Sequence, residues 1–336
     1  MENKQERQDD TMNHEKNLRW AVLGTGVIAN QMAQALRSMG RTLDAVGNRT
    51  HEKAVAFAET YGVPKVYDSC DEMFTDPDID IIYITTPHNT HMAFLEQALS
   101  RGKHVLCEKS ITLNSAELER AIKLAGEKGV VLAEAMTVYH MPLYRVLRQK
   151  MAGLGRVNLI QVSFGSFKEY DMSNRFFNPA LAGGALLDIG VYALSLARLF
   201  LQSNPNQGGS FGQKAPTGVD ESAAVAMVNR EGQMVSATIS LHSKQPKRAV
   251  IPCEKGYIEI MDYPRADQAV IVDAATGQRE TVRAGLTADA LLYELNDMEA
   301  AVRGEGDMLL PLTVDVMALM SNLRREWGVV YPEERT

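Results

Sequence analysis

Trp20-Ala21-Val22-Leu23-Gly24-Thr25-Gly26-Val27-Ile28-Ala29 is the stretch on which the fold turns. Its four leading apolar residues read as a buried strand. The apolar positions Ile28, Met32, Leu36 and Met39 then repeat at helical spacing. Between strand and helix stands Gly-x-Gly-x-x-Ala, with Ala29 where a third glycine is usual. In this setting Gly24 permits a tight turn. Gly26 lets a pyrophosphate approach the helix amino terminus, where free N–H groups and the helix dipole favour negative charge. Thr25, Val27 and Ile28 complete the turn and are expected at the same ligand. A glycine turn with no ligand is the competing reading, and the strand-turn-helix context weighs against it.

The chain around this unit is long enough, at 336 residues, for roughly two domains. Hydrophobic residues at 45% and charged residues at 23% sit near the globular average, which argues against long disorder or a fibrous repeat. A net charge of -7 leaves no broad basic surface, so small-molecule partners are expected and nucleic acid is not. Cys70, Cys107 and Cys253 are odd in number and widely spaced, forming neither a disulfide framework nor a metal-ligating pattern. Reduced thiols in the cytoplasm are the expectation, with no metal. No run approaches the roughly 18 apolar residues of a membrane span, and the polar residues 1–17 read as a disordered lead-in.

Carboxyl-terminal to the glycine unit, Leu43 to Gly47 reads as a second strand ending in Asn48-Arg49, where a dinucleotide fold contacts the adenosine ribose. An acid there would bind both ribose hydroxyls. Here an amide and a guanidinium suit a 2'-phosphate, which favours NADP(H) and leaves NAD(H) open. Ile79 to Thr86 is the most apolar strand and stops at Pro87. Thr86, Pro87, Asn89 and His91 fall at the same sheet edge, with His91 expected to hold the cofactor or cap the next helix. Val105 to Cys107 then runs into Glu108-Lys109, and the carboxyl ends of parallel strands are where ligands collect. Asn114-Ser115-Ala116-Glu117 opens a further helix and Val130 to Ala135 a further strand. Strands alternating with helices over residues 18–137 predict a Rossmann-type, doubly wound parallel sheet that binds a dinucleotide.

Over residues 138–336 the pattern changes. Strand-like runs at Leu159 to Ser166, Ala223 to Val228, Met234 to Leu241, Tyr257 to Met261 and Ala269 to Asp273 follow one another, with Gly232, Gly256 and Gly277 in turns. Strands without intervening helices predict an α+β domain with an open, mainly antiparallel sheet. Helices are expected from about Ala185 to Phe200, Ala288 to Arg303 and Thr313 to Trp327. The first carries Asp188 and Tyr192, four residues apart and so on one helical face.

Gly24-Thr25-Gly26, Thr86-Pro87, Gly102-Lys103-His104-Val105, Glu108-Lys109 and Gly184-Ala185-Leu186-Leu187-Asp188-Ile189-Gly190, in this order, resemble the glucose-fructose oxidoreductase / inositol dehydrogenase / MocA family from Leu18 to Trp327. Tyr192, where many members have histidine, resembles the branch that includes dimeric dihydrodiol dehydrogenase. Ser110 stands where Glu-Lys-Pro is usual, so the turn is expected to be less restricted. Tyr139 stands where an arginine is usual, so substrate contacts there do not carry over.

The resemblance implies an NAD(P)-dependent oxidoreductase moving a hydride between nicotinamide C4 and a secondary alcohol or carbonyl of a sugar, polyol or cyclic diol. Lys109 is then the first candidate for proton exchange, with its pKa lowered beside an oxidised nicotinamide, and Tyr192 the second. Asp188 orients Lys109, binds a substrate hydroxyl or caps its helix. Glu108 orients Lys109 or touches the nicotinamide ribose. His140 is expected near the site, and Met136 and Met141 in the core. An NAD-dependent glycoside hydrolase of the same fold and a non-catalytic dinucleotide sensor are the alternatives. Self-association as a homodimer or homotetramer is expected from the family's use of the open sheet.

Overall fold

The computed structural model describes residues 17–335. Of the expected lead-in, all but Asn17 lies outside the described residues. The first sheet contains β1 (Trp20–Leu23), β2 (Ala45–Gly47), β3 (Lys65–Tyr67), β4 (Ile81–Ile84), β5 (His104–Glu108) and β6 (Leu132–Ala135). All pairings are parallel, in the order β3-β2-β1-β4-β5-β6. Helices α1 (Val27–Ser38), α2 (His51–Tyr61), α3 (Cys70–Thr75), α4 (His91–Ser100) and α5 (Ser115–Lys128) connect them. Every residue of β1 and β4 is buried, which is why these strands read as continuous apolar runs and not as alternating ones. Strand order reverses between β1 and β4, and the crevice at that reversal is where such sheets bind ligands. Asp44 closes the start of β2, its carboxylate accepting from Trp20 N at 2.8 Å, far from the ribose position at the other end.

After α6 (Thr137–His140) and α7 (Pro142–Leu154) comes a second sheet: β7 (Leu159–Gly165), β8 (Gln207–Lys214), β9 (Asp220–Val228), β10 (Met234–Ser240), β11 (Gln245–Pro252), β12 (Gly256–Met261), β13 (Gln268–Asp273) and β14 (Arg279–Arg283). Their order is β14-β13-β12-β11-β7-β10-β9-β8, antiparallel except for the parallel pair β7 and β10. Helix α8 (Val191–Phe200) packs between this sheet and α10 (Leu310–Trp327). Helix α9 (Ala290–Val302) returns to the first domain, placing Leu291, Leu295 and Met298 in one core with Trp20, Tyr83 and Leu106.

The structure differs from the sequence reading at several points. Strands β8, β11 and β14 were not expected. The sheet edges β8 and β14 carry mostly exposed polar residues or glycine, and β11 contains Pro246 with an irregular register between Gln245 and Arg248. None shows the apolar alternation that marks a half-buried strand. Gly256 begins β12 and is not in a turn. A Cβ there would lie 2.1 Å from the Val272 carbonyl oxygen, so glycine answers to the close approach of β13. The run Pro179–Phe200 is also apolar and long enough to span a membrane, contrary to the sequence count, yet its 18-residue apolar window is 83% buried inside the protein. It is a core segment built from a 3-10 turn, the π turn Leu186–Gly190 and α8.

Candidate active site

The glycine turn forms a cradle in front of α1. Gly24 adopts φ +107°, and a Cβ on it would meet Thr85 Oγ1 at 2.5 Å. Gly26 begins α1 without a side-chain cap, and a Cβ built on it meets nothing within 4 Å. The first-turn N–H groups of a helix have no partners within it. Val27, at the tip, is 79% exposed, and Ile28 behind it is half-buried. Unsatisfied donors facing open space fit the pyrophosphate of a dinucleotide.

At the end of β2, Asn48 donates to Thr25 Oγ1 at 2.8 Å and accepts from Thr50 N at 2.9 Å, tying the two loops together. Arg49 is exposed and makes no ion pair with another described residue. Beyond β4, Thr86 Oγ1 accepts from Thr90 Oγ1 at 2.8 Å, Pro87 is exposed, and Asn89 donates to Glu333 Oε1 at 3.1 Å. His91 does not face this cleft. It is 0% exposed, its ring nitrogens lie 2.9 Å from Ser110 O and 2.8 Å from Thr86 O, and it neither offers a ligand an atom nor caps a helix. It ties the loop after β4 to the loop after β5.

Lys109 lies at the centre. β5 delivers it to the cleft, where Nζ donates to the Asp188 backbone oxygen at 2.7 Å and lies 3.3 Å from Asp188 Oδ1. The same Nζ stands 5.0 Å from the centre of the Tyr192 ring. Arg175 approaches Asp188 Oδ1 from the other side at 3.2 Å. Asp188 and Tyr192 are not one regular α-helical turn apart, because Leu186–Gly190 forms a wider π turn before α8. That turn presents the Leu187 and Asp188 carbonyls to Ser110 Oγ, at 2.9 Å, and to Lys109 Nζ. Asp188 is not the helix cap. Asp220 fills that role, its Oδ2 accepting from Leu186 N at 2.6 Å.

These contacts set the charges. Burial pulls the Lys109 pKa down, but Asp188, Tyr192 and Glu108 outweigh it and leave the ammonium favoured beyond its ordinary range. The lowering expected beside an oxidised nicotinamide is therefore not a property of the protein alone. Burial pushes Asp188 up, yet Lys109, Arg175 and His88 reverse this and hold it at about 2. Burial also raises the Tyr192 phenol, more than Lys109 lowers it, so Tyr192 keeps its proton. At neutral pH the resting site is thus an ammonium, a carboxylate and a phenol.

The surrounding residues fix this geometry, and several were not apparent from sequence. Tyr83 donates its hydroxyl to Glu108 Oε1 at 2.5 Å, and burial raises the Glu108 pKa in spite of that bond. His88 lies 3.0 Å from the Lys109 carbonyl oxygen and 3.3 Å from that of Ala182. Burial, with His91 and Lys109, lowers its pKa to about 3, so the imidazole is neutral. The turn after Lys109 is not loosened by Ser110, which is fully buried and bonded through both its hydroxyl and its carbonyl; the Lys109–Ser110 peptide is cis. Tyr139 turns into the core at 3% exposure. His140 is also buried, 2.8 Å from Asp297 Oδ2. A cavity of about 660 Å³, lined by Gln31, Phe164, Tyr192, Lys247, Arg265 and Asp267 among others, opens between the two domains beside Tyr192.

Comparison with known proteins agrees with this architecture. Residues 18–136 match the model of an oxidoreductase family with an NAD-binding Rossmann fold, and residues 144–259 match the GFO/IDH/MocA C-terminal domain. The chain is 28% identical to trans-1,2-dihydrobenzene-1,2-diol dehydrogenase of Sus scrofa over 95% of this chain and 99% of that protein. It is 32% identical to the Xenopus laevis protein of the same name over 76% of this chain and 78% of that one. Among solved structures, KijD10, a 3-ketoreductase from Actinomadura kijaniata in complex with NADP and TDP-benzene, superposes with a TM-score of 0.82 at 22% identity over 92% of this chain and 97% of that one. Levoglucosan dehydrogenase in complex with NADH and levoglucosan gives 0.82 at 18% identity over 93% and 97%. With both of its domains matched in sequence and in fold, the chain belongs to the GFO/IDH/MocA family of NAD(P)-binding oxidoreductases.

Proposed function

We propose that this oxidoreductase interconverts a secondary alcohol and its carbonyl on a sugar, polyol or cyclic diol, with Lys109 as the proton-exchanging group and NADP(H) as the preferred cofactor. The observation that carries the reading is Lys109 Nζ, held between Asp188 and the Tyr192 ring at the end of β5. When bound, the nicotinamide supplies the hydride chemistry. The protein supplies position and a proton. In reduction the Lys109 ammonium donates to the carbonyl oxygen, and Asp188 stabilises the ammonium beforehand. In oxidation the neutral amine accepts the alcohol proton, a form that a neighbouring positive charge would favour. Tyr192 donates a hydrogen bond to the same oxygen and fixes its place, while Asp188 and Arg175 meet further hydroxyls. The names of the relatives, diol and sugar dehydrogenases or reductases, support this substrate class.

The test is reduced-nicotinamide absorbance with a panel of sugars, polyols and cyclic diols offered with NADP⁺ or NAD⁺. Turnover of at least one secondary alcohol, with net cofactor reduction, is expected. Sugar release without net reduction would instead favour the hydrolase reading.

Cofactor choice is assigned to Arg49, exposed at the end of β2 where a 2'-phosphate would lie. Arg49→Glu replaces a fork-like cation with a repelling anion. The ratio of NADP(H) to NAD(H) affinity should fall by roughly 100-fold, read as two dissociation constants; an unchanged ratio would remove Arg49 from cofactor selection. The second sheet exposes Ala224, Ala226, Met234 and Phe211, which supports self-association as a homodimer or homotetramer. The three free thiols suit a cytoplasmic setting.

A further inference from the structure

Two cations in the cavity beside Tyr192 take no part in the chemistry above. Lys247 and Arg265 both line it, and neither forms an ion pair with another described residue. Lys247 Nζ stands 5.0 Å from the centre of the Phe164 ring, and that ring lies 6.0 Å from the ring of Tyr192. Arg265 Nη1 donates to the neutral side chain of Gln31 on α1, 3.2 Å from its Oε1. Arg248, the next residue after Lys247, provides the contrast, since Glu259 holds its guanidinium at 2.7 Å. Of the two acids in the lining, Asp267 accepts from Thr287 N at 3.1 Å and Asp262 is exposed.

The backbone holds Arg265 in place. Within the turn Tyr263–Arg265, Thr137 Oγ1 donates to Pro264 O at 2.7 Å and Thr287 Oγ1 donates to Arg265 O at 2.8 Å. A cation fixed at a cavity wall with no acid of its own is a ready receptor for an anion, because charge-assisted hydrogen bonds form without an existing ion pair being broken. We propose that the substrate carries an acidic group, a carboxylate or a phosphate, received by Lys247 and Arg265. A substrate oxygen at Lys109 and Tyr192 fixes one end of the molecule. The Phe164 ring separates Tyr192 from Lys247, so the acidic group lies at the end remote from the reacting carbon. A sugar acid or sugar phosphate with its charge on the terminal carbon has this form, whereas a neutral polyol leaves both cations unpaired.

Because this assignment rests on the alcohol-carbonyl reading above, its test keeps the two apart. Glucose, galactose and mannose are each offered as the neutral sugar, the C6 carboxylate and the C6 phosphate, at constant ionic strength. Affinity is read by calorimetry with NADPH bound, which cannot oxidise them, and oxidation is read separately by absorbance with NADP⁺. Wild-type protein should bind the carboxylate or the phosphate of at least one sugar about 10-fold or more tightly than its neutral form, and the form that gains identifies the acid. Lys247→Gln and Arg265→Gln should each remove most of that advantage while leaving NADPH affinity, measured by protein fluorescence, within about 2-fold of wild type. Equal affinity for neutral and acidic forms in wild type, or an advantage kept in both variants, would overturn the assignment. So would a loss of NADPH affinity of about 10-fold in Arg265→Gln, which would give the guanidinium to the cofactor's phosphates. A preference for acidic forms that depends on both cations, with no cofactor reduction by any sugar, would leave the anion site standing and count against oxidation at Lys109. Oxidation of neutral and acidic forms with equal affinity would do the reverse.

Discussion

Lys109→Ala is expected to lower kcat by about 1,000-fold, within the range typical for loss of a positioned acid or base, while changing cofactor affinity only a few-fold. In the resting site Lys109 carries a proton at the end of β5, and in the oxidative direction Tyr192 cannot replace it as proton acceptor because burial holds the phenol protonated. Removal of one partner of a buried ion pair ordinarily destabilises a protein by about 3–5 kcal/mol. Here Arg175 remains 3.2 Å from Asp188 Oδ1 and compensates part of the lost charge, so the variant should fold. Lys109→Met, which keeps the aliphatic bulk, separates lost packing from lost chemistry and should be equally inactive. Turnover within 10-fold of wild type in both variants, at saturating cofactor, would remove Lys109 from the mechanism.

Gly26→Asp should move stability and cofactor binding in opposite directions. Helix α1 has no side-chain cap, and the space in front of Gly26 is empty. With φ -75° and ψ -172° the position already has extended geometry that an aspartate adopts without strain. Its carboxylate would accept from the free N–H groups and complement the helix dipole, a gain of about 1 kcal/mol. The same carboxylate would occupy and repel the place of the pyrophosphate, lowering dinucleotide affinity by more than about 100-fold. A thermal melt without cofactor and a fluorescence titration with it check the two signs. A variant that melts higher and still binds the dinucleotide normally would show that the pyrophosphate lies elsewhere.

Much of the first domain is legible in the sequence because its physics is local. A strand buried on both faces is an apolar run, a crossover helix repeats every three to four residues, and the turn between β1 and α1 needs glycine for reasons visible within a few residues. The second domain is only half legible. β7, β9, β10, β12 and β13 announce themselves, whereas β8, β11 and β14 are strands because neighbours pair with them. The site divides in the same way. Lys109, Asp188 and Tyr192 stand in recognisable motifs, and the fold brings them together. The π turn that shapes their meeting depends on partners far along the chain: Ser110 bonded to Leu187, Asp220 to Leu186. His91 shows the converse, a residue placed by its motif at the cofactor edge whose side chain is used up by two loop carbonyls.

Direct passage of a hydride between substrate carbon and the nicotinamide, at the site held by Lys109, can be read from the mass of the reduced cofactor after wild-type protein has oxidised an alcohol deuterated at its carbinol carbon. One deuterium is expected in each reduced nicotinamide formed, in step with the carbonyl product, and none above background with Lys109→Ala over the same period. Product formed with no deuterium in the cofactor would rule out direct hydride transfer.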